Sequence, residues 1–161
     1  QERRQEYGRY GNPTVSAVEQ KIAAIDGGDD AVLYASGMSA VTSVLLASLS
    51  TGTHIVMTDD CYRRTRQFCQ TYLRRLGIET SVVPMGDYDA LEAAIRPGKT
   101  RFIISESPTN PYLRVIDVPA VCDIAHAKGV KVIIDSTFAT PVNHKALDDG
   151  AARAPLRPGA C

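Results

Sequence analysis

Apolar residues along this chain fall into short β-branched runs separated by stretches of helical period. The clearest run is Val130, Val132, Ile133 and Ile134, closed abruptly by Asp135. Such a dense apolar run is the signature of a strand covered on both faces in a parallel sheet. Residues 31–35, 54–57, 81–83 and 101–104 have the same character, so five strands are expected. The segment 12–27 reads as a helix: Asn12 caps it, Pro13 suits its first turn, and Gly27 and Gly28 stop it. Val15, Val18, Ile22 and Ile25 share one face of that helix. Further helices are expected over 36–49, 62–76 (closed by Gly77), 88–95 and 118–128, the last capped by Asp117. Strands alternating with helical crossovers predict an α/β domain with a mostly parallel sheet. The order of the strands is not carried by this pattern.

Composition narrows the class without choosing a function. The 161 residues hold 18 Lys plus Arg and 18 Asp plus Glu, so no net field draws the chain to nucleic acid or a membrane surface. No apolar run reaches membrane-spanning length, and no secretory leader pattern opens the sequence. Cys61, Cys69, Cys122 and Cys161 lack metal-ligand spacing, and their density is too low for a disulfide framework. A soluble, reduced, intracellular protein is expected.

The residues that follow each strand run carry the candidate chemistry. Ser36, Gly37 and Met38 open a helix, where free N–H groups and the helix dipole suit a phosphate. Tyr62 follows the second run and precedes Arg63, Arg64 and Arg66. Basic residues in a first turn oppose the dipole, which favours an anionic ligand there. The fourth run ends at Glu106 and enters Pro108-Thr109-Asn110-Pro111; the fifth ends at Asp135, followed by Thr137. An anion nest, an aromatic face, an amide and a buried carboxylate on one rim suit a flat phosphorylated heterocycle with a basic ring nitrogen, and pyridoxal phosphate is such a molecule. Each feature has an ordinary reading beside it: a turn-capping Asp, a surface Tyr, a loop shaped by prolines, a mixed-charge helix.

Taken together, the segments 7–14, 36–38, 60–62, 106–111 and 135–138 resemble the pyridoxal-phosphate enzymes of Cys/Met metabolism, the transsulfuration enzymes of aspartate-aminotransferase-like fold. The segments 6–10, 60–66 and 137–141 look closest to the plant-type cystathionine γ-synthase branch. The resemblance implies a cofactor site in which Gly37 and Met38 hold the phosphate and Tyr62 stacks on the ring. It gives Asp135 to the ring nitrogen, Asn110 to the phenolic oxygen, and Thr137 a place close to the ring. It assigns Tyr7 and Arg9 to a neighbouring subunit's phosphate site in a homodimer or homotetramer, while the basic pair Arg63 and Arg64, by its own charge, argues for a substrate with an anionic leaving group such as phosphate. The implied reaction is γ-replacement on an activated homoserine by cysteine, in methionine biosynthesis, located in cytoplasm or plastid. Cystathionine lyases and O-acetylhomoserine sulfhydrylases are alternatives within the family. A non-catalytic module pairing with a complete subunit is an alternative outside catalysis.

The likeness stops near residue 151. The position it assigns to the Schiff-base lysine falls on Ala160, and none of Lys21, Lys99, Lys128, Lys131 and Lys145 replaces it. Pro155, Pro158, Arg153 and Arg157 do not suit the apolar strand expected there. The expected organisation is an amino-terminal segment 1–12, a partial cofactor-binding large domain 13–151, and an irregular tail 152–161. Such a chain is expected to be a fragment without catalytic competence. Gly37, Tyr62, Asn110 and Asp135 are expected around one cleft, with Tyr7 and Arg9 away from it.

Overall fold

In the computed structural model, which describes residues 7–151, the β-branched runs condense into one sheet of four parallel strands. They are β1 (His54–Thr58), β2 (Glu79–Val83), β3 (Thr100–Glu106) and β4 (Lys131–Asp135), in the order β2-β1-β3-β4. The expectation for the tail 152–161 lies outside the described residues.

Alternation along the strands divides the core in two. Ile55, Met57, Phe102 and Ile104 face one way, against Leu45 of α2 (Gly37–Ser48) and Cys69 and Leu73. Those two lie in a π-helical turn, Phe68–Leu73, that continues α3 (Arg63–Gln67). Val56, Ile103 and Val132 face the other way. There they meet Leu91 of α4 (Tyr88–Ala94) and Val121, Cys122 and Ala125 of α5 (Val118–Ala127). Helices on both faces explain why the strands read as continuous apolar runs. A short α6 (Thr140–Asn143) follows β4 and was not expected.

Local chemistry sets the helix ends. Asn12 Oδ1 accepts the N–H groups of Thr14 (2.9 Å) and Val15 (3.4 Å) at the start of α1 (Pro13–Asp26). Gly27 ends the helix in the left-handed region, at φ 77°.

Two expectations fail on the amino-terminal side. Residues 31–34 form no strand and pair with none among the described residues, so the sheet has four strands rather than five. The apolar stripe of α1 also points outward: Ser16, Glu19 and Ala23 are buried, whereas Ile22 is 39% and Ile25 52% exposed. The Glu19 carboxylate accepts the Leu33 N–H at 2.9 Å, which docks the 31–34 segment on the polar side of α1. Periodicity shows which residues share a face, and the partner decides which face turns inward.

Candidate functional site

The strand order creates a switch point between β1 and β3. The chain lays β2 on one side of β1 and then β3 on the other, so connections leave the carboxyl ends of β1 and β3 in opposite directions. Ligands of open α/β sheets bind in the crevice outside such a switch point. Here Thr58 and Ser105 bond through their hydroxyls at 3.0 Å, just below the two strand ends.

The loops leaving these ends are tied together by side chains. Asp59 Oδ1 accepts the Met85 N–H at 2.9 Å, holding the loop after β1 to the end of β2. Asp60 Oδ2 accepts the Thr109 hydroxyl at 3.1 Å and lies 3.6 Å from Arg114 Nη1. Thr109 and Arg114 close the β3 loop on itself: Thr109 N donates to Arg114 O (3.0 Å), and Arg114 N to Thr109 Oγ1 (3.1 Å). Ser107-Pro108 and Asn110-Pro111, both cis, lie within or beside that closure. Asn110 is therefore held on a braced loop.

Glu106 stands at the centre, 4% exposed. The backbone N–H groups of Asn110 and Tyr62 lie on its side of the sheet edge and favour its charged form. Its register partner on β4 is Asp135, so two carboxyl groups end adjacent parallel strands. Burial first, and the Asp135 charge second, push the Glu106 carboxyl above its ordinary value, against the pull of the two N–H donors. Its Oε2 is buried without a hydrogen-bond partner.

Asp135 is more open. Its Oδ1 accepts the Thr137 N–H (3.2 Å) and the Thr137 hydroxyl (2.5 Å). Among the described residues no Lys, Arg or His pairs with it. The remaining rim is the start of α2, where Ser36 Oγ accepts the Ser39 N–H at 3.1 Å. The Gly37 and Met38 N–H groups belong to the first turn, where helices lack internal partners. A Cβ added to Gly37 would meet nothing within 4 Å, so this end is open. Thr65 donates to Met38 Sδ at 3.7 Å, joining the start of α2 to the helix that follows Tyr62.

The structure thus collects Tyr62, Asn110 and Asp135 around Glu106, with Thr137 on Asp135 and Gly37 and Met38 linked in through Thr65. Arg63 and Arg64 are exposed at the start of α3, where Arg64 donates to Gln67 Oε1 at 3.0 Å. Tyr7 and Arg9 sit elsewhere in their contacts: the Arg9 guanidinium lies over the Tyr7 and Tyr10 rings, 5.4 and 5.7 Å from their centroids. Burial chiefly, then the Glu106 charge, raises the Cys61 thiol to about 11, which disfavours its thiolate form. Sequence reasoning assigned no role to Glu106 or to the Asp60–Thr109–Arg114 brace. The available signal was that Glu106 ends an apolar strand just as Asp135 does.

These groups fit a phosphorylated pyridine chemically. Asp135 is a carboxylate without a cationic partner among the described residues, the start of α2 is an open set of N–H donors, and the aromatic residue Tyr62 follows β1 at the same sheet edge.

Comparison with known proteins adds an independent line. The family model for Cys/Met metabolism PLP-dependent enzymes matches residues 1–152. Cystathionine gamma-synthase 1, chloroplastic, of Nicotiana tabacum is 51% identical over 146 residues, covering 91% of this chain and 27% of that protein. The Arabidopsis thaliana protein of the same name is 50% identical, covering 91% of this chain and 26% of that one. The chain therefore spans about a quarter of the length of these relatives. Among solved structures, MetB of Corynebacterium glutamicum superposes with a TM-score of 0.87 at 36% identity, over 91% of this chain and 38% of that one. Cystathionine gamma-lyase of Lactobacillus plantarum, complexed with L-serine, gives 0.85 at 40% identity, with the same coverage of 91% and 38%.

Proposed function

The chain belongs to the Cys/Met metabolism PLP-dependent enzyme family, and from that premise we propose that it carries the cofactor cleft of a cystathionine γ-synthase. The reaction proposed is replacement of the γ-substituent of an activated homoserine by the thiol of cysteine, giving cystathionine. The observation that carries this reading is the gathering of Tyr62, Asn110 and Asp135 at the switch point around Glu106, in a chain 51% identical to the tobacco synthase.

Each residue has a definite task. The Gly37 and Met38 N–H groups and the α2 dipole bind the phosphate. Tyr62 covers one face of the ring and excludes water from it. Asp135 holds a proton on the ring nitrogen, and Thr137 fixes the orientation of its carboxylate. Asn110, on the braced loop, orients the phenolic oxygen. The cofactor, when bound, supplies an electron sink for the amino-acid carbons. Arg63 and Arg64 receive the anionic leaving group of the homoserine ester. Tyr7 and Arg9 complete the phosphate site of a second subunit in a homo-oligomer. A plastid location accompanies this reading, since the tobacco and Arabidopsis relatives are described as chloroplastic. The 161 residues alone place no lysine at the family's Schiff-base position, so they bind the cofactor without the covalent link and do not turn over.

The test is binding first and product second. The 161-residue chain should bind pyridoxal phosphate, and Asp135→Ala should weaken binding ten- to a hundredfold, about 1.5–3 kcal/mol for one charge-assisted hydrogen bond. Native binding that is absent, or unchanged in Asp135→Ala, rejects the cleft. In the full gene product, O-phosphohomoserine with cysteine should yield cystathionine. Release of 2-oxobutyrate in its place would assign a γ-lyase, and homocysteine formed from sulfide a sulfhydrylase.

A further inference from the structure

Thr109, 0% exposed, has a hydrogen bond on every polar group it owns. Its N–H donates to Arg114 O (3.0 Å), and its C=O accepts the Leu113 N–H (2.8 Å). Its hydroxyl donates to Asp60 Oδ2 (3.1 Å), and the same oxygen accepts the Arg114 N–H (3.1 Å). Three of these bonds close residues 109–114 on themselves. The fourth crosses 49 positions of sequence to the loop after β1. The closure is not free. Leu113 stands at φ 55°, in the left-handed region that a Cβ disfavours, and at 60% exposure its side chain recovers little by burial. The Asp60 side chain, 10% exposed, gives up most of its water. Arg114 Nη1, 3.6 Å away, balances its charge, while Arg114 Nη2 donates to Met85 O (3.4 Å) after β2. A loop that only joined β3 to α5 would need none of these bonds.

We propose that Thr109 is a positioning residue, whose hydroxyl, bonded to Asp60, sets the spacing between Tyr62 and Asn110 across the switch point. Tyr62 lies two residues beyond Asp60, and Asn110 follows Thr109 directly. Each site residue is therefore joined by a very short stretch of backbone to one end of a single buried bond. Fully buried, Thr109 touches neither cofactor nor substrate, and acts only through these neighbours. A side chain displaced by about 1 Å forfeits much of its binding contribution, so a loop free to shift by that much would hold a ring poorly. The inference deepens the cofactor reading of the cleft and rests on it.

Thr109→Val keeps the shape of the side chain and removes the hydroxyl, whereas Thr109→Ser keeps the hydroxyl. The 161-residue chain is titrated with pyridoxamine 5′-phosphate, which has no aldehyde and forms no imine with lysines. The induced circular dichroism of the bound ring is then read at saturation. Thr109→Val should bind about tenfold more weakly and give a smaller signal per bound molecule, because the ring is held in a less unique orientation. Thr109→Ser should stay within about threefold of the native affinity, with the native signal, since its bond to Asp60 survives. Asp60→Ala removes the other end of the same bond and should reproduce the loss. The double variant should then lose no more than the weaker-binding single variant. Native affinity in Thr109→Val overturns the proposal, and so does weaker binding with an unchanged signal, which a merely structural residue would give. A Thr109→Ser chain that loses as much as Thr109→Val also overturns it, as do losses that multiply in the double variant. Amide exchange at Ile103 and Val132 reports whether the sheet is intact. If Thr109→Val loses that protection, Asp60→Ala is read in its place, because Arg114, 57% exposed, is solvated without its partner. Native binding there overturns the proposal. A native chain that binds no pyridoxamine 5′-phosphate rejects the cofactor reading, and the positioning role falls with it. That result is distinct from native and variant chains that bind equally, which rejects the positioning role alone.

Discussion

Among single residues, His54 shows how burial converts a side chain into a pH-sensitive support. Its imidazole is 0% exposed, with Nδ1 2.8 Å from Thr100 Oγ1 and Nε2 2.9 Å from Ser81 Oγ, so it bridges the strands on either side of β1. Burial first, and the nearby Arg96 charge second, lower its pKa. Below about 6.5 the unfolded imidazole therefore takes a proton more readily than the folded one. The contribution to stability is complete above that value and is lost as the pH falls toward the depressed folded value. Glu106, raised, acts with the opposite sign, so a comparison is needed to isolate His54. His54→Gln keeps a hydrogen-bonding amide in place without taking a proton. Urea unfolding from pH 7 to pH 5 should show the native chain losing stability more steeply than the variant; parallel slopes would exclude His54 as the cause.

Elements in this fold are bounded by residues whose backbone conformation or side-chain bonds do the stopping. Removing the Asn12 cap with Asn12→Ala should cost about 1 kcal/mol, read as a lower urea midpoint at unchanged slope. Gly77 separates the helical segment from β2 at φ +73°, and a Cβ there would lie 2.7 Å from Thr51 Cγ2. Gly129 separates α5 from β4 at φ +69° with open space around it. Gly129→Ala should therefore show the left-handed penalty alone, about 1 kcal/mol. Gly77→Ala should exceed it, since the Thr51 side chain must also move. Equal losses would mean that Thr51 yields without cost.

Across the whole molecule, apolar surface is distributed unevenly. The α1 stripe of Val15, Val18, Ile22 and Ile25 faces outward, each side chain 38% to 52% exposed. Contiguous apolar surface of this kind promotes association. The 161-residue chain should sediment as larger species with rising concentration, and replacing Ile22 and Ile25 together by Lys should suppress this. Both side chains are exposed and outside the core, so the thermal midpoint should move by only a few degrees. A chain that stays monomeric throughout would show that the stripe is tolerated as it is. No helix among the described residues is long and apolar enough to cross a membrane, so the stripe is not part of a spanning helix.

The sequence by itself determined what depends on neighbours along the chain. Asn12, Pro13 and Gly27 bound α1 because capping and left-handed φ are local, and the central strands β1 and β3 were readable because burial on both faces leaves little polar alternation. That Tyr62, Asn110 and Asp135 lie at one sheet edge was legible because each ends or follows a strand, and parallel strands deliver their ends to one edge. Tertiary structure alone decided what depends on partners distant in sequence. The order β2-β1-β3-β4 placed the cleft between β1 and β3, since hydrophobic patterns do not encode strand neighbours. Residues 31–34 have strand composition yet form no strand, because a strand exists only by pairing. The apolar stripe of α1 turned outward because Glu19 found the Leu33 N–H on the opposite face. Glu106 looked like one more strand end, and acquired Asp135 as its neighbour only when β3 paired with β4.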